Sequence, residues 1–254
     1  PLANADYVYV PYCDGSIFAG DVDRPLRGSM AYQRGILNIT AALEVAHARF
    51  PHPSRIVLVG TSGGAYGTIP ATALLRAYYP RTELLVVSDS GAPIGQDQDT
   101  TFMRRTMVEL NADYLPPSCP DCVSDGHLTG LIEWALAHDP NARYGYMGHT
   151  EDSTIGGTFL GITGPEMAVG VKREIGALLA DHPARTSAFV LEGTKHTFVE
   201  DLGAVGPAAD AFAPGADVGD MNETGLSDTG ETISGWQWLR AFLDGPNGPN
   251  VLAP

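Results

Sequence analysis

Arg55-Ile56-Val57-Leu58-Val59-Gly60-Thr61-Ser62-Gly63-Gly64 decides how this chain is read. Residues 56–59 are an aliphatic run without polar alternation, the pattern of a short strand covered on both faces. The run passes directly into Gly60-Thr61-Ser62-Gly63-Gly64, and a helix is expected from Gly64 to about Tyr79. A G-x-S-x-G sequence between a buried strand and a helix is a nucleophile elbow. The turn is too tight for side chains at the glycine positions. It lifts the Ser62 hydroxyl above the carboxyl edge of the sheet. The following helix aims its first amides, Gly63 N–H among them, at a developing oxyanion. The competing reading is a plain glycine-rich turn; the strand and helix on its two sides favour the elbow.

Working outward, strand-like and helical stretches alternate. Tyr7 to Cys13 is aromatic and β-branched and reads as a strand that ends or bends at Pro11. Ala31 to Phe50 carries Ile36, Ile39, Leu43 and Ala46 at helical spacing. Further buried strands are expected at Glu83–Ser88, Arg143–Gly148 and Ser187–Glu192. Helices are expected at Phe102–Asn111, Leu128–His138, Met167–Ala180 and Ile233–Asp244. This alternation predicts βαβ units, a mostly parallel sheet flanked by helices, and one α/β-hydrolase domain over residues 1–254. Residues 112–127 read as a small cap loop. Residues 201–231, rich in Gly, Ala and Asp, read as a long loop of the kind that forms lids or functional rims.

Composition narrows the partners. The chain has 254 residues, 44% hydrophobic, enough for one domain with a sizeable core. Its apolar runs are strand-sized, so no membrane span is expected. Thirty acidic against 15 basic residues give a net charge of −15, which repels a phosphate backbone and argues against nucleic acid. An acidic surface fits a secreted or salt-tolerant protein, and no signal peptide opens the sequence.

A serine nucleophile needs a base, and in this fold the chain order is Ser, acid, His. His182 and His196 follow every plausible acid. His182 sits at the end of an expected helix, where the dipole favours an imidazolium, a structural explanation. His196 lies just past the last apolar strand, where a catalytic loop would hold the base. For the acid, Glu151 and Asp152 follow the strand two after the elbow strand. Asp152 is the choice and Asp89, in Val87-Ser88-Asp89-Ser90-Gly91, the alternative. The structural reading of Asp89 is a buried carboxylate capping the turn after its own strand.

Tyr12-Cys13-Asp14-Gly15-Ser16-Ile17-Phe18-Ala19-Gly20-Asp21 resembles the Tyr-Cys-Asp-Gly…Gly-Asp segment of plant pectin acetylesterases. Val10-Pro11-Tyr12-Cys13 resembles the matching segment of Notum, the animal carboxylesterase of that family. Arg34-Gly35, the elbow at Ser62, Ser88-Asp89-Ser90-Gly91, Asp152-Ser153 and His196 recur in the family's order, and bacterial members look most similar. The resemblance covers most of residues 5–200. It implies Ser62 as nucleophile, Asp152 as acid and His196 as base, acting on an acetylated polysaccharide or another short-chain ester without metal or organic cofactor. Two departures stand out. Gly63 occupies a position where the family has Ala. The family's Gly-Gly-Gly or Gly-Gly-Trp oxyanion segment belongs before the Tyr-Cys-Asp-Gly stretch, ahead of residue 1. Either N-terminal strands are missing from this chain, or the Tyr7 strand pairs with Arg55–Val59 and the Asp14-Gly15-Ser16 loop supplies the second oxyanion amide.

Elbow chemistry does not fix the acyl group, so a polyester or lipid esterase is the runner-up. A catalytically weak binding protein on the same scaffold is the competing class. Cys119-Pro120-Asp121-Cys122 reads as a local disulfide in a secreted loop, which leaves Cys13 over. A zinc site would need four ligands, and only His127 and Cys13 would be at hand to join the pair. Asp201, Asp210, Asp217, Asp220 and Asp228 lack calcium-loop spacing and read as a solvated loop.

Overall fold

The computed structural model describes residues 5–26, 28–199, 219–245 and 248–254. Its centre is a five-stranded, all-parallel sheet. The strands are β3 (Arg55–Thr61), β4 (Glu83–Asp89), β5 (Ala142–His149), β6 (Thr186–Leu191) and β9 (Val251–Leu252), in that spatial order. The α/β fold expected from the alternation is the one present.

Strand periodicity explains the two cores. Successive side chains point to opposite faces. Leu84 and Val86 therefore join Tyr144, Ala188 and Val190 on one face, under α2 (Gly63–Tyr78), α4 (Thr129–His138) and α5 (Gly164–Asp181). Leu85 and Val87 join Met147, Phe189, Trp238 and Phe242 on the other face, under α6 (Gly235–Asp244). β4 is covered on both sides, with Leu84, Leu85 and Val87 fully buried. α1 (Gly35–Arg49) packs on α2, and α3 (Phe102–Glu109) sends Met103 and Met107 into the first core.

Several boundaries differ from the sequence reading, each for a local reason. Residues 7–13 form no strand, and no ladder joins Tyr7–Val10 to Arg55–Val59 among the described residues. Tyr7, Val8 and Tyr9 are largely exposed. Aromatic and β-branched residues favour a strand only where a neighbour packs against them. The expected helix from Ala31 starts at Gly35, because Ala31–Gln33 pair with β1 (Val22–Leu26) as part of β2 (Ser29–Gln33). That hairpin was hidden by Pro25, which an exposed two-stranded ribbon tolerates.

Of the expected loop 201–231, residues 201–218 lie outside the described residues. Its remainder is not all loop: β7 (Thr224–Leu226) pairs antiparallel with β8 (Thr232–Ser234). The last helix begins at Gly235 instead of Ile233, because Ser234 and Gln237 form a reciprocal capping box. No helix among the described residues is long and apolar enough to cross a membrane.

Candidate active site

Parallel register puts Thr61, Asp89 and Met147 level at the carboxyl edge of the sheet. The chain then leaves β3, β4, β5 and β6 through loops carrying Ser62, Ser90, Asp152 and His196 respectively. Such an edge is where open α/β sheets place their sites.

Ser62 stands between β3 and α2 with φ 56° and ψ −121°, a left-handed backbone that a side chain adopts only under constraint. The constraint is visible. Ser62 N–H donates to Asp89 O at 2.8 Å and Ala65 N–H donates to Ser62 O at 2.9 Å. A Cβ at Gly60 would strike the Gly64 backbone, so the turn has no room for a side chain there. Gly63, where the family has Ala, is covered by an aromatic ring: a Cβ there would lie 3.0 Å from Tyr12 Cε1. Tyr12 also stacks on Phe18 at 4.9 Å, and its hydroxyl accepts Ile17 N–H at 2.8 Å. Residues 12–18 thus lie over the elbow.

Asp152 and His196 meet. His196 Nδ1 lies 2.6 Å from Asp152 Oδ2, and both side chains are buried. The other Asp152 oxygen accepts Thr154 N–H at 2.9 Å and Ile155 N–H at 3.0 Å, from the start of a π-helical segment, Thr154–Leu160. These contacts fix the carboxylate as an acceptor, so its histidine presents N–H at Nδ1. His196 Nε2 is buried and forms no hydrogen bond to a described residue. Two rungs zip the Asp152 loop to the chain before His196: Glu151 N–H to Gly193 O at 2.9 Å and Ser153 N–H to Thr194 O at 3.0 Å.

Asp89 has other partners. Its oxygens accept Phe198 N–H at 2.9 Å, Val199 N–H at 2.8 Å and the Ser90 hydroxyl at 3.1 Å. It caps the chain after His196 as well as the turn after its own strand, the only role the sequence reading gave it as a structural residue. Burial pushes its carboxyl up to about 6, against the lowering effect of those bonds and of His196. His182 is the C-cap of α5, but partial burial and then the Arg185 guanidinium lower its pKa. Asp181 pulls the other way without reversing the direction, so the expected favouring of an imidazolium is corrected to a shift toward the neutral ring.

Two groups escaped the sequence reading. His149, fully buried at the end of β5, stacks on Phe198 at 4.5 Å and reaches Glu223 Oε2 at 3.4 Å. Glu223 also binds Lys195 Nζ at 3.2 Å. Thr197 has φ 59° and a buried hydroxyl with no hydrogen-bond partner among the described residues. A histidine inside an apolar strand was a usable signal for the first; backbone conformation left none for the second.

Cys119 and Cys122 are joined as a disulfide, and Cys13 is free and exposed. Among the described residues no three His, Cys, Asp or Glu side chains cluster so as to hold a metal ion.

Residues 1–114 match the family model described as Pectinacetylesterase. Over those residues, somewhat less than half of its length, the chain is similar to the pectin acetylesterase/Notum-like family. The match takes in Tyr12, the elbow at Ser62 and Asp89, and stops before Asp152 and His196. The family is one of carboxylic ester hydrolases, so an ester is the class of substrate it brings with it. A search of curated proteins returns no match to the chain.

Proposed function

We propose that the chain is a serine-dependent carboxylic ester hydrolase, one hydrolase domain working through an acyl-enzyme. The 2.6 Å bond between His196 Nδ1 and Asp152 Oδ2, buried beside a strand–serine–helix elbow, carries this reading. His196 Nε2 takes the Ser62 proton as Ser62 Oγ attacks the ester carbonyl. Gly63 N–H, the first amide of α2, stabilises the oxyanion. The alcohol leaves with the proton from His196. Water, deprotonated by the same nitrogen, then releases the acid. Asp152 holds the imidazole in the Nδ1–H tautomer and stabilises its charged form. The family's name supports an acetyl ester on a polysaccharide as substrate, and the Cys119–Cys122 disulfide supports a secreted protein.

A series of p-nitrophenyl esters from acetate to long acyl chains tests this. Turnover should be fastest at acetate and vanish in Ser62→Ala. A maximum at long chains would replace the deacetylase with a lipid or polyester esterase. No turnover in a folded sample, with no labelling by a fluorophosphonate, would replace the enzyme with a binding protein.

A further inference from the structure

Asp89 belongs to the elbow strand's neighbour, yet every bond of its side chain beyond Ser90 goes to the loop that carries His196. Its backbone oxygen accepts Ser62 N–H at 2.8 Å. Its carboxylate accepts the amides of Phe198 and Val199, two and three residues after His196. The next residue completes the grip: Thr197 N–H donates to Ser90 Oγ at 2.9 Å, and the Ser90 hydroxyl donates to Asp89 Oδ1 at 3.1 Å. Three consecutive amides after His196 are therefore held by two residues of the strand adjoining the elbow. Ser90 takes φ 58° to do so, a left-handed backbone maintained here by Ser90 N–H donating to Met147 O at 2.8 Å.

We propose that Asp89, with Ser90, is a positioning residue for the reaction: the ionised carboxylate clamps the His196 loop to the same residue whose carbonyl fixes Ser62, and so sets the serine–imidazole geometry. This rests on the reading of Ser62 and His196 as nucleophile and base. Three features support it. A carboxylate is the only side chain here that offers acceptors to three donors at once without presenting a donor of its own. A neutral Asn in its place would turn an N–H₂ group toward an amide. Burying a charge is also costly, and the sign of that cost matters. A folded-state value raised to about 6 means that stability from the protonated acid is present below the ordinary value of 3.8 and lost as pH rises through about 6. At neutral pH the fold thus carries a charge that works against its stability. The titratable groups that act on Asp89 electrostatically are His196 and Tyr146.

The test compares the full chain with Asp89→Asn, Ser90→Ala and Ser90→Thr, using p-nitrophenyl acetate from pH 5 to 8.5. At pH 8 Asp89→Asn should lower kcat roughly 10- to 100-fold with KM within about twofold, the scale of a misplaced catalytic group. The ratio of parent to variant kcat should shrink toward one as pH falls below about 6, because the parent then loses its ionised clamp as well. Ser90→Ala should lower kcat several-fold, and Ser90→Thr, which keeps the hydroxyl, should recover it. A folded Asp89→Asn with parental kcat, or with a loss that does not change with pH, overturns the proposal. If Asp89→Asn fails to fold, the serine pair decides: parental kcat in Ser90→Ala overturns it. Parental activity in Ser62→Ala or His196→Ala would sink the triad reading itself. Inert triad variants beside an unaffected Asp89→Asn would sink only the clamp.

Discussion

Two walls flank Ser62, and they are built differently. One comprises the loops leaving β4, β5 and β6. It is buried, its strand ladders continue past the strand ends through Ser90, Thr150 and Glu151, and its carboxylates are saturated with amides. The other comprises residues 12–18, which contain no strand or helix and lie over the elbow through the Tyr12 ring. Its backbone turns through three left-handed residues, Gly15, Ile17 and Phe18, steadied by the Tyr12 hydroxyl and the Asp14 carboxylate. The difference teaches where precision is built in. A wall made of strand ends inherits the register of the sheet, whereas a wall made of turns depends on its own side-chain contacts.

The comparison breaks first at the rigid wall. Ser62→Ala and His196→Ala should each cost roughly 10⁴-fold or more in kcat, and Asp152→Asn somewhat less, without the losses adding in combination. Initial rates on p-nitrophenyl acetate measure this. Labelling of His196→Ala by a fluorophosphonate at the parental rate would remove His196 from the role of base.

The yielding wall should show the opposite. Gly63→Ala pushes a methyl against the Tyr12 ring, which lies 3.0 Å from that position. Because the ring sits on a segment outside the sheet and helices, kcat should fall by less than about tenfold, with a small loss of thermal stability. A loss near that of Ser62→Ala would show that residues 12–18 are as rigid as the strand ends.

Sequence alone disclosed the rigid wall far better than the yielding one. Ser62, Asp152 and His196 stand at ends of apolar runs, and in a parallel sheet the ends of such runs share one edge. The same logic failed for residues 7–13, where no strand among the described residues pairs with them and Tyr7, Val8 and Tyr9 stay largely exposed. It failed also for β7 and β8, three residues each in a stretch dominated by Gly and Asp. Asp89 was recognised as buried, but its partners lie more than a hundred residues away, and no local pattern announces an amide clamp across that distance.

A smaller effect sharpens the picture of the rigid wall. Burial lowers the pKa of His149, against the raising pull of Glu223 and Asp152, with Lys195 adding to the lowering. A depressed folded-state value means that stability from the neutral ring is present above the ordinary 6.5 and lost as pH falls through the folded value. His149→Phe keeps the stack on Phe198 and removes the titration. Its melting temperature should therefore fall less steeply than the parent's between about pH 6.5 and 5, as calorimetry would reveal. Parallel curves would mean that His149 does not contribute to acid lability.

The smallest expected change is at the disulfide. Cys119 and Cys122 close a loop only three residues apart in sequence, so removing the bond should cost about 2 kcal/mol or less. Alkylation without reductant, followed by intact-mass analysis, should leave both thiols unmodified and Cys13 labelled. Two alkylated thiols in the peptide from Leu115 to Asp125 would refute the bond.

Thr197 has a consequence for engineering. A β-branched residue at φ 59° whose buried hydroxyl has no partner among the described residues carries two penalties at one position. Glycine would relieve both while keeping the amide that Ser90 holds, but it would also empty a fully buried site and free the unfolded backbone. The heat tolerance of Thr197→Gly thus weighs backbone strain against packing within the loop that carries His196.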